Sequence, residues 1–440
     1  MAFRRKQKNY AKLVNLLDKK LTNPGFIEQF KSKPQDFTRK RSFRFKSLSL
    51  FIISSLQSSI QRELDRFFQS YNNKDVAERF VTQSAFSQAR NKIRPEAFEE
   101  LNKESVSCFY SEFKIKKWNN FRLVAIDGSE IQLPKNPETI AQYGEYKTNR
   151  MDSSTVLARI SKSYDVLNNI SIDAKLVNRK IGEHSLAKSH LKSIGENDLF
   201  LLDRGYPSFD LFREILSKGG HFCARVPIKN WSIAKELVKT GRLEKIALIM
   251  PGYNIRTRYK EQNIKVVPIK CRFILIELKN REKEVLITSL LDTIKHPHNT
   301  FKSLYHQRWA IEESYKKDKI VLQFENFSGY SVIAIQQDFF ATMLLGNLTA
   351  MIASNLDDEI GAITIKAKYN YQINTTSALS KIKHAIAKLF TKVRPYKLIE
   401  RLIKAILSSI QPIRPNRSFK RRDRKKYRNH IRYYKSYMTL

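Results

Sequence analysis

Tyr305, Arg308, Glu312 and Lys319 lie in one short stretch, at successive offsets of three, four and seven residues. On an α-helix those offsets bring all four to one face. The face would carry one carboxylate among a phenol, a guanidinium and an ammonium. An acid able to hold a metal ion, set among groups that grip phosphate, points to chemistry on a nucleic-acid backbone. Arg308 would offer a phosphate a bidentate fork and Lys319 a point charge, with Tyr305 beside them. Trp309 and Tyr315, in the same stretch, could stack on an unpaired base; Trp309, close to Ile311, reads equally well as a core aromatic.

One carboxylate is too few for such chemistry, and two more are candidates by position. Phe121–Asp127 is a short apolar run that ends in an acid before Gly128, and Asp198–Asp203 is a second such run. Both read as buried strands. Acids at the carboxyl ends of adjacent strands can converge, as ligands of open sheets do. Asp127, Asp203 and Glu312, brought together, would repel one another unless a divalent cation neutralised them. All-oxygen ligation favours Mg²⁺ or Mn²⁺ over zinc. Two such ions about 4 Å apart can activate a water or hydroxyl and stabilise the leaving oxygen of a phosphodiester. Taken singly, each acid has a plainer role: Asp127 as a turn residue, Asp203 as a partner of Arg204, and Glu312 in a solvated ion-pair network.

The elements that must position these acids follow from the surrounding pattern. Residues 155–164 and 171–177 alternate apolar with polar and read as strands, and 221–226 as another, after a helix opened by Pro207 and closed at Gly219–Gly220. Residues 227–300 are rich in Ile, Val and Lys, alternate over 264–278 and 284–290, and read as a β-rich insertion. Helical periodicity returns at Phe301 and continues through Met351. Residues 1–100 read as helical and basic. Within them Asp75–Arg90 resembles two short helices joined at Thr82–Ser84, with Thr82 or Ser84 as cap. As a helix-turn-helix it would present Gln83, Ser84, Ser87, Gln88 and Arg90 to DNA; the alternative is a plain helical hairpin. Beyond about Lys366 the chain reads as helical and increasingly basic, and in Arg417–Arg432 the only acid is Asp423.

Charge narrows the partners. Among 440 residues, 81 Lys and Arg face 42 Asp and Glu, a net +39. Such an excess calls for a polyanion, and nucleic acid is the commonest. The basic residues are spread along the chain and not gathered on one amphipathic helix, which argues against a membrane surface. The longest apolar stretch, Phe339–Ala353, is broken by Thr342, Gly346, Asn347 and Thr349 and is shorter than the roughly 18–20 residues a span needs, so it reads as a buried helix. Cys108, Cys223 and Cys271 are far apart and frame neither disulfides nor a zinc site. With no apolar signal core after the charged start, a cytoplasmic protein is expected. His296-Pro-His298 reads as a loop, and no Gly-rich nucleotide-binding run is present.

Tyr305-(2)-Arg308-(3)-Glu312-(6)-Lys319 resembles the Y-(2)-R-(3)-E-(6)-K signature of bacterial insertion-sequence DDE transposases, the insertion sequence four family. The likeness extends to Ile126-Asp127-Gly128-Ser129, to Leu202–Tyr206, to Glu325–Gly329 and to Ser84–Arg90, about residues 75 to 355 in all. Ser129 stands where the family often has Thr, and keeps the hydroxyl. The resemblance implies a ribonuclease-H-like core that binds two Mg²⁺ ions, with Mn²⁺ as substitute, through catalytic Asp127, Asp203 and Glu312. It implies an enzyme of double-stranded DNA that nicks at the terminal inverted repeats of its element and joins the exposed 3′ hydroxyl to target DNA. The enzyme would act as a homodimer in a synaptic complex, and some members pass through a hairpin end whose 5′ phosphate the signature cations hold.

The expected fold class is α/β: a ribonuclease-H-like mixed-sheet core, a β-rich insertion between the second Asp and the Glu, and flanking helical regions. The expected division is 1–115 helical, basic and DNA-binding, 116–226 and 301–365 catalytic core, 227–300 insertion, and 366–440 helical and basic. The protein is expected in the cytoplasm at the nucleoid, away from membranes. Two other functions fit the same residues: a domesticated nuclease of this fold that does not join strands, and a non-catalytic basic DNA-binding protein whose acids are structural.

Overall fold

The computed structural model describes residues 2–414 apart from 40, 55–57, 148–153, 279–280, 355 and 392–394, so the basic segment Arg417–Arg432 lies outside the described residues. Six helices come first: α1 (Ala2–Thr22), α2 (Pro24–Phe30), α3 (Phe45–Ile53), α4 (Ile60–Tyr71), α5 (Gln83–Arg90) and α6 (Glu96–Glu112). Then follow β1 (Arg122–Leu133), α7 (Pro137–Tyr143), β2 (Glu145–Lys147), β3 (Ser154–Asp165), β4 (Ile170–Asn178), α8 (Glu183–His190), β5 (Asp198–Leu202), α9 (Phe209–Ser217) and β6 (His221–Val226). The insertion holds α10 (Ser232–Thr240), β7 (Glu244–Ile249), α11 (Tyr253–Glu261), β8 (Ile269–Glu277) and β9 (Lys283–Thr288). The chain ends with α12 (Thr300–His306), α13 (Trp309–Ile320), α14 (Val332–Ala353), α15 (Asp357–Ile363), β10 (Tyr371–Gln372), α16 (Thr375–Leu389), α17 (Tyr396–Leu407) and β11 (Gln411–Pro412).

Two compact units emerge. One is drawn from Met1–Ile115, Ile131–Ala158 and Lys317–Leu440, the other from Lys116–Glu130 and Arg159–Lys316. The first unit is built around α14, whose apolar residues face inward nearly all round, from Ile335 to Ile352. Helices α3, α6 and α16 pack on it. A helix apolar on every side is stable only where protein surrounds it. Among the described residues no single helix is long and apolar enough to cross a membrane.

The second unit is a sheet with helices against it. β1 pairs in parallel with β5, β5 in parallel with β6, and β9 runs antiparallel to β6. On the other side β3 lies beside β1 and β4 beside β3. The order β4-β3-β1-β5-β6 makes a mixed sheet, as expected for the core, and β9, β8 and β7 extend the same sheet. Leu123–Ile126 and Leu199–Leu202 are all buried, as befits central parallel strands covered on both faces. Phe212 of α9 stacks on Phe222 of β6 with ring centroids 3.9 Å apart, fixing a helix to the sheet.

Four local expectations change. β1 does not stop at Asp127 but runs to Leu133, past the end of its pairing with β5 at Ala125, with β3 as its other hydrogen-bonded neighbour. The periodicity from Phe301 to Met351 is three helices: α12 closes at Gln307, and a non-helical stretch separates α13 from α14. Residues 75–81 form no helix, so α5 has no short helix immediately before it; Thr82 does cap α5, accepting from the Ala85 N–H at 3.2 Å. The insertion carries two helices along with its three strands.

Candidate active site

The register of β1 on β5 brings the first two acids together. Arg122 pairs with Asp198 and each following residue with its counterpart, through Ala125 with Leu201. The last pair, Ala125 with Leu201, lies two residues before each acid, so Asp127 and Asp203 follow neighbouring parallel strands at the same level. A buried ion pair fixes that register at its start: Arg122 donates from Nε and Nη2 to the two oxygens of Asp198, at 2.6 and 2.5 Å. Asp127 therefore sits where β1 parts from β5, and Asp203 where β5 ends.

Glu312 arrives from α13, one turn past a bend. At Gln307–Arg308 the N–H groups of Gln307, Arg308, Ala310 and Ile311 bond carbonyls three residues back, which tightens the backbone between α12 and α13. Tyr305 thus belongs to α12, Arg308 to the bend and Glu312 to α13. Lys319 lies two turns further along α13, in the part of the chain that belongs to the first unit.

Cations and hydroxyls hold each acid. Arg308, buried at 3% exposure, donates from Nη2 to Glu312 Oε1 at 2.8 Å. Arg225 of β6 donates to Asp203 Oδ1 at 2.9 Å and, with its other terminal nitrogen, to Glu284 of β9 at 2.6 Å. The buried Tyr305 hydroxyl donates to the Leu202 carbonyl at 3.2 Å and stands 3.4 Å from Asp203 Oδ1. The Tyr315 hydroxyl donates to the Asp127 carbonyl at 2.7 Å. Its ring lies against Lys162 of β3, a fully buried lysine whose ammonium stands 4.7 Å from the ring centroid and bonds Ser314. Tyr315 is therefore a buried brace for β1 and no platform for a base. Trp309 is 42% exposed, with the Arg308 guanidinium 5.1 Å from its ring.

The acids are not electrostatically alike. Burial, with Glu312 and Asp203 adding to it, pushes the Asp127 carboxyl up to about 6, although the Gly128 N–H and Arg308 work against the rise. Burial would raise Asp203 too, but the Arg204 N–H, Arg308 and Arg225 outweigh it and hold that carboxyl below the usual range. Burial, and then the negative charge of Asp127, Glu183 and Asp203, drives the neighbouring Tyr206 phenol upward. The excess of negative charge centres on Asp127.

Among the described residues no three His, Cys, Asp or Glu are gathered tightly enough to grip a metal ion as they stand. The donor set nonetheless suits one. All three acids offer oxygen, and the Asp127 carboxyl, raised first by burial and then by Glu312 and Asp203, is one whose charged form a cation would favour. The arginines themselves keep something in reserve: the Nε–H groups of Arg308 and Arg225 are buried with no acceptor among the described residues. A buried donor left unpaired is costly, and an anionic oxygen would satisfy it.

Residues 118–348, just over half of the chain, match the transposase DDE domain family. The chain belongs to that family. The matched interval contains all three acids and the whole Tyr305–Lys319 signature. Transposase InsG for insertion sequence element IS4, from Escherichia coli strain K12, is 23% identical over 271 residues, 61% of this chain and 60% of InsG. InsZ of the same strain, provisionally named a transposase, is 27% identical over 164 residues, 37% of this chain and 54% of InsZ. The chain thus spans less than two thirds of either relative. A cryo-EM structure of a piggyBac transposase synaptic complex with hairpin DNA superposes with a TM-score of 0.46 at 10% identity, over 92% of this chain and 87% of that one; so loose a likeness in shape assigns nothing here.

As a member of the DDE family the chain has supporting residues that its motifs do not announce. Arg225, Glu284, Tyr315 and Lys162 all brace the acids, and only Tyr315 lies within the signature stretch. Arg90, expected at a DNA-reading helix, is instead 3% exposed. It donates to Gln337, to Ser328, to the Ala334 carbonyl and to Asp338, so it ties α5 to α14 and cannot read DNA. Gly329 closes that knot: a Cβ there would meet the Ala334 Cβ at 2.8 Å, so the motif Glu325–Gly329 needs glycine for close approach.

Proposed function

We propose that this member of the DDE family is a DNA transposase that cleaves at the terminal inverted repeats of its element and transfers the freed 3′ end to target DNA. Family membership supports the reaction class. The single observation that most supports the site is the β1–β5 register, whose last pair, Ala125 with Leu201, lies two residues before each of Asp127 and Asp203. In this reading Asp127, Asp203 and Glu312 are the catalytic carboxylates and would hold two divalent cations, Mg²⁺ with Mn²⁺ as substitute. Such ions supply activation of the attacking oxygen and stabilisation of the leaving oxygen of the phosphodiester.

The chain's own residues then divide the remaining work. Tyr305 and Arg225 anchor Asp203 at the end of its strand, Tyr315 anchors Asp127, and Arg308 aims Glu312. Arg308 and Arg225 retain a free Nε–H each for a substrate phosphate oxygen. Lys319 contributes charge further along α13, and exposed Trp309 offers a face to an unstacked base. Residues 1–115 serve DNA recognition, 116–226 with 301–365 form the catalytic core, 227–300 the insertion, and 366–440 a helical basic extension. The acting species is a homodimer on double-stranded DNA, in the cytoplasm at the nucleoid.

The test is cleavage and joining of a labelled duplex carrying the DNA ends that flank this reading frame. Mg²⁺-dependent nicking with joined products, abolished by EDTA and by Asp127→Asn, Asp203→Asn or Glu312→Gln, is the expected result. Nicking that never yields joined products would reduce the protein to a nuclease. Binding with no cleavage by any form would make it a non-catalytic binder.

A further inference from the structure

If Arg90 and its helix do not meet DNA with their charged end, another part of the first unit must. Between α2 and α3 the chain forms a long loop, Lys31–Arg44, in which Asp36 is the only acid. The loop borders a cavity of about 270 Å³ whose lining sets Arg39, Arg41 and Lys92 beside Asp36 and the rings of Phe37 and Phe43. Asp36 is already committed, because its Oδ2 accepts the Lys33 N–H at 3.0 Å. Arg39, Arg41 and Lys92 have no ion pair among the described residues. The lining therefore carries three cations against one carboxylate around a hollow.

The loop is braced, not slack. Lys31 bridges Ile93, the Ser32 N–H donates to the Lys92 carbonyl at 3.0 Å, and the Ser32 hydroxyl to the Asn91 carbonyl at 2.8 Å. Phe43 is buried against Phe51, Phe68 and Phe86 at the far end. In the middle Phe37 holds a φ of 63°, a conformation that an aromatic residue rarely adopts, while its ring meets Phe45 edge-on at 5.4 Å. Strain of this kind persists where the surroundings enforce it, and it concentrates at functional sites.

We propose that this hollow is a phosphate-binding site for the backbone of duplex DNA, with Arg39, Arg41 and Lys92 as its ligands. It reads no bases: Arg39, Arg41 and Lys92 would meet backbone phosphate, so the contact positions the duplex without specifying sequence. The inference rests on duplex DNA being the substrate, and it deepens that reading by naming where the first unit holds the backbone.

The experiment uses the full chain carrying Glu312→Gln, without added metal, so that binding is read apart from catalysis. Affinity for a labelled duplex is measured against salt concentration for this protein and for the same protein with Arg39→Gln, Arg41→Gln and Lys92→Gln. Each phosphate contact contributes about 0.9 to the slope of log affinity against log salt, so the slope should fall by about 2 to 3, equally for element ends and unrelated duplexes. Arg39→Lys with Arg41→Lys should restore most of it, because a point charge suffices. A control triple, Lys366→Gln, Lys368→Gln and Lys397→Gln, removes the same charge from exposed positions elsewhere in the unit and should change the slope by less than one. Equal loss in the control, or an unchanged slope in the loop variant with an unchanged melting temperature, overturns the proposal while leaving the transposase reading intact. Failure of every form to bind duplex DNA overturns both. Should the triple variant melt early, single Arg41→Gln reads the same slope at about a third of the effect.

Discussion

The same residue type does opposite work in the two units. Around the acids each arginine is turned inward, Arg308 to Glu312 and Arg225 to Asp203 and Glu284 at once. In the Lys31–Arg44 loop Arg39 and Arg41 line a hollow and form no ion pair among the described residues, although Asp36 lines it with them. A guanidinium paired with an acid sets that acid's charge and direction; one left unpaired on a braced loop is available to a polyanion. The net +39 does not distinguish these two uses.

Removing an acid should separate the regions most sharply. Asp127→Asn or Glu312→Gln is expected to slow cleavage by on the order of 10³-fold, the scale seen when a preorganised charge is lost from a reacting centre. DNA affinity should stay the same or rise. Weakened binding with normal cleavage would reverse the comparison. Removing an inward cation comes next. Arg225→Gln leaves Asp203 and Glu284 without their shared partner and should cost about 10- to 100-fold in cleavage rate, as supporting contacts to catalytic ligands typically do. Arg225→Lys should recover only part, because a single ammonium cannot span both acids as the fork does.

Tyr315→Phe deletes one hydroxyl and keeps the ring over Lys162. It should lower stability by about 1 kcal/mol in denaturant titration and slow cleavage by less than Arg225→Gln does. An equal or larger slowing would mean that the hydroxyl does more than brace β1. The smallest effect concerns an acid of the second unit, Asp173, 2.7 Å from His190 Nδ1. Burial would raise the Asp173 carboxyl, but His190 and Lys175 outweigh it and hold it below its usual range. A depressed carboxyl contributes stability that is complete above its unfolded value of about 4 and is lost as pH falls through the folded value. Wild type should therefore lose melting temperature below about pH 4 more steeply than Asp173→Asn. Parallel curves would refute the assignment.

The carboxylates were legible because spacing and strand endings are local. Tyr305 to Lys319 fits within a few helical turns, and Asp127 and Asp203 each follow an apolar run. Arg225 was not, because nothing near it in sequence marks a partner at Asp203; the pairing exists only once β6 lies beside β5. The bend at Gln307–Arg308 hid behind unbroken apolar periodicity, since three-residue hydrogen bonds preserve nearly the same pattern as four-residue ones. Arg90 was misread for a related reason. A charged residue on a short helix is usually solvated, and only the folded neighbours Gln337, Ser328 and Asp338 make burial tolerable.

The parallel pairing of β1 with β5 has a consequence for how the protein is made. Asp127 and Asp203 meet only after the β3–β4 strands and α8 between them have been synthesised, and Glu312 follows more than a hundred residues later. At about 5–20 residues per second, several seconds of synthesis pass in which the nascent chain holds one or two of the three acids. A ribosome-bound or prematurely ended product that stops before α13 thus carries the N-terminal helices and two of the three candidate carboxylates. Chain order withholds the third until residue 312 of 440 is made.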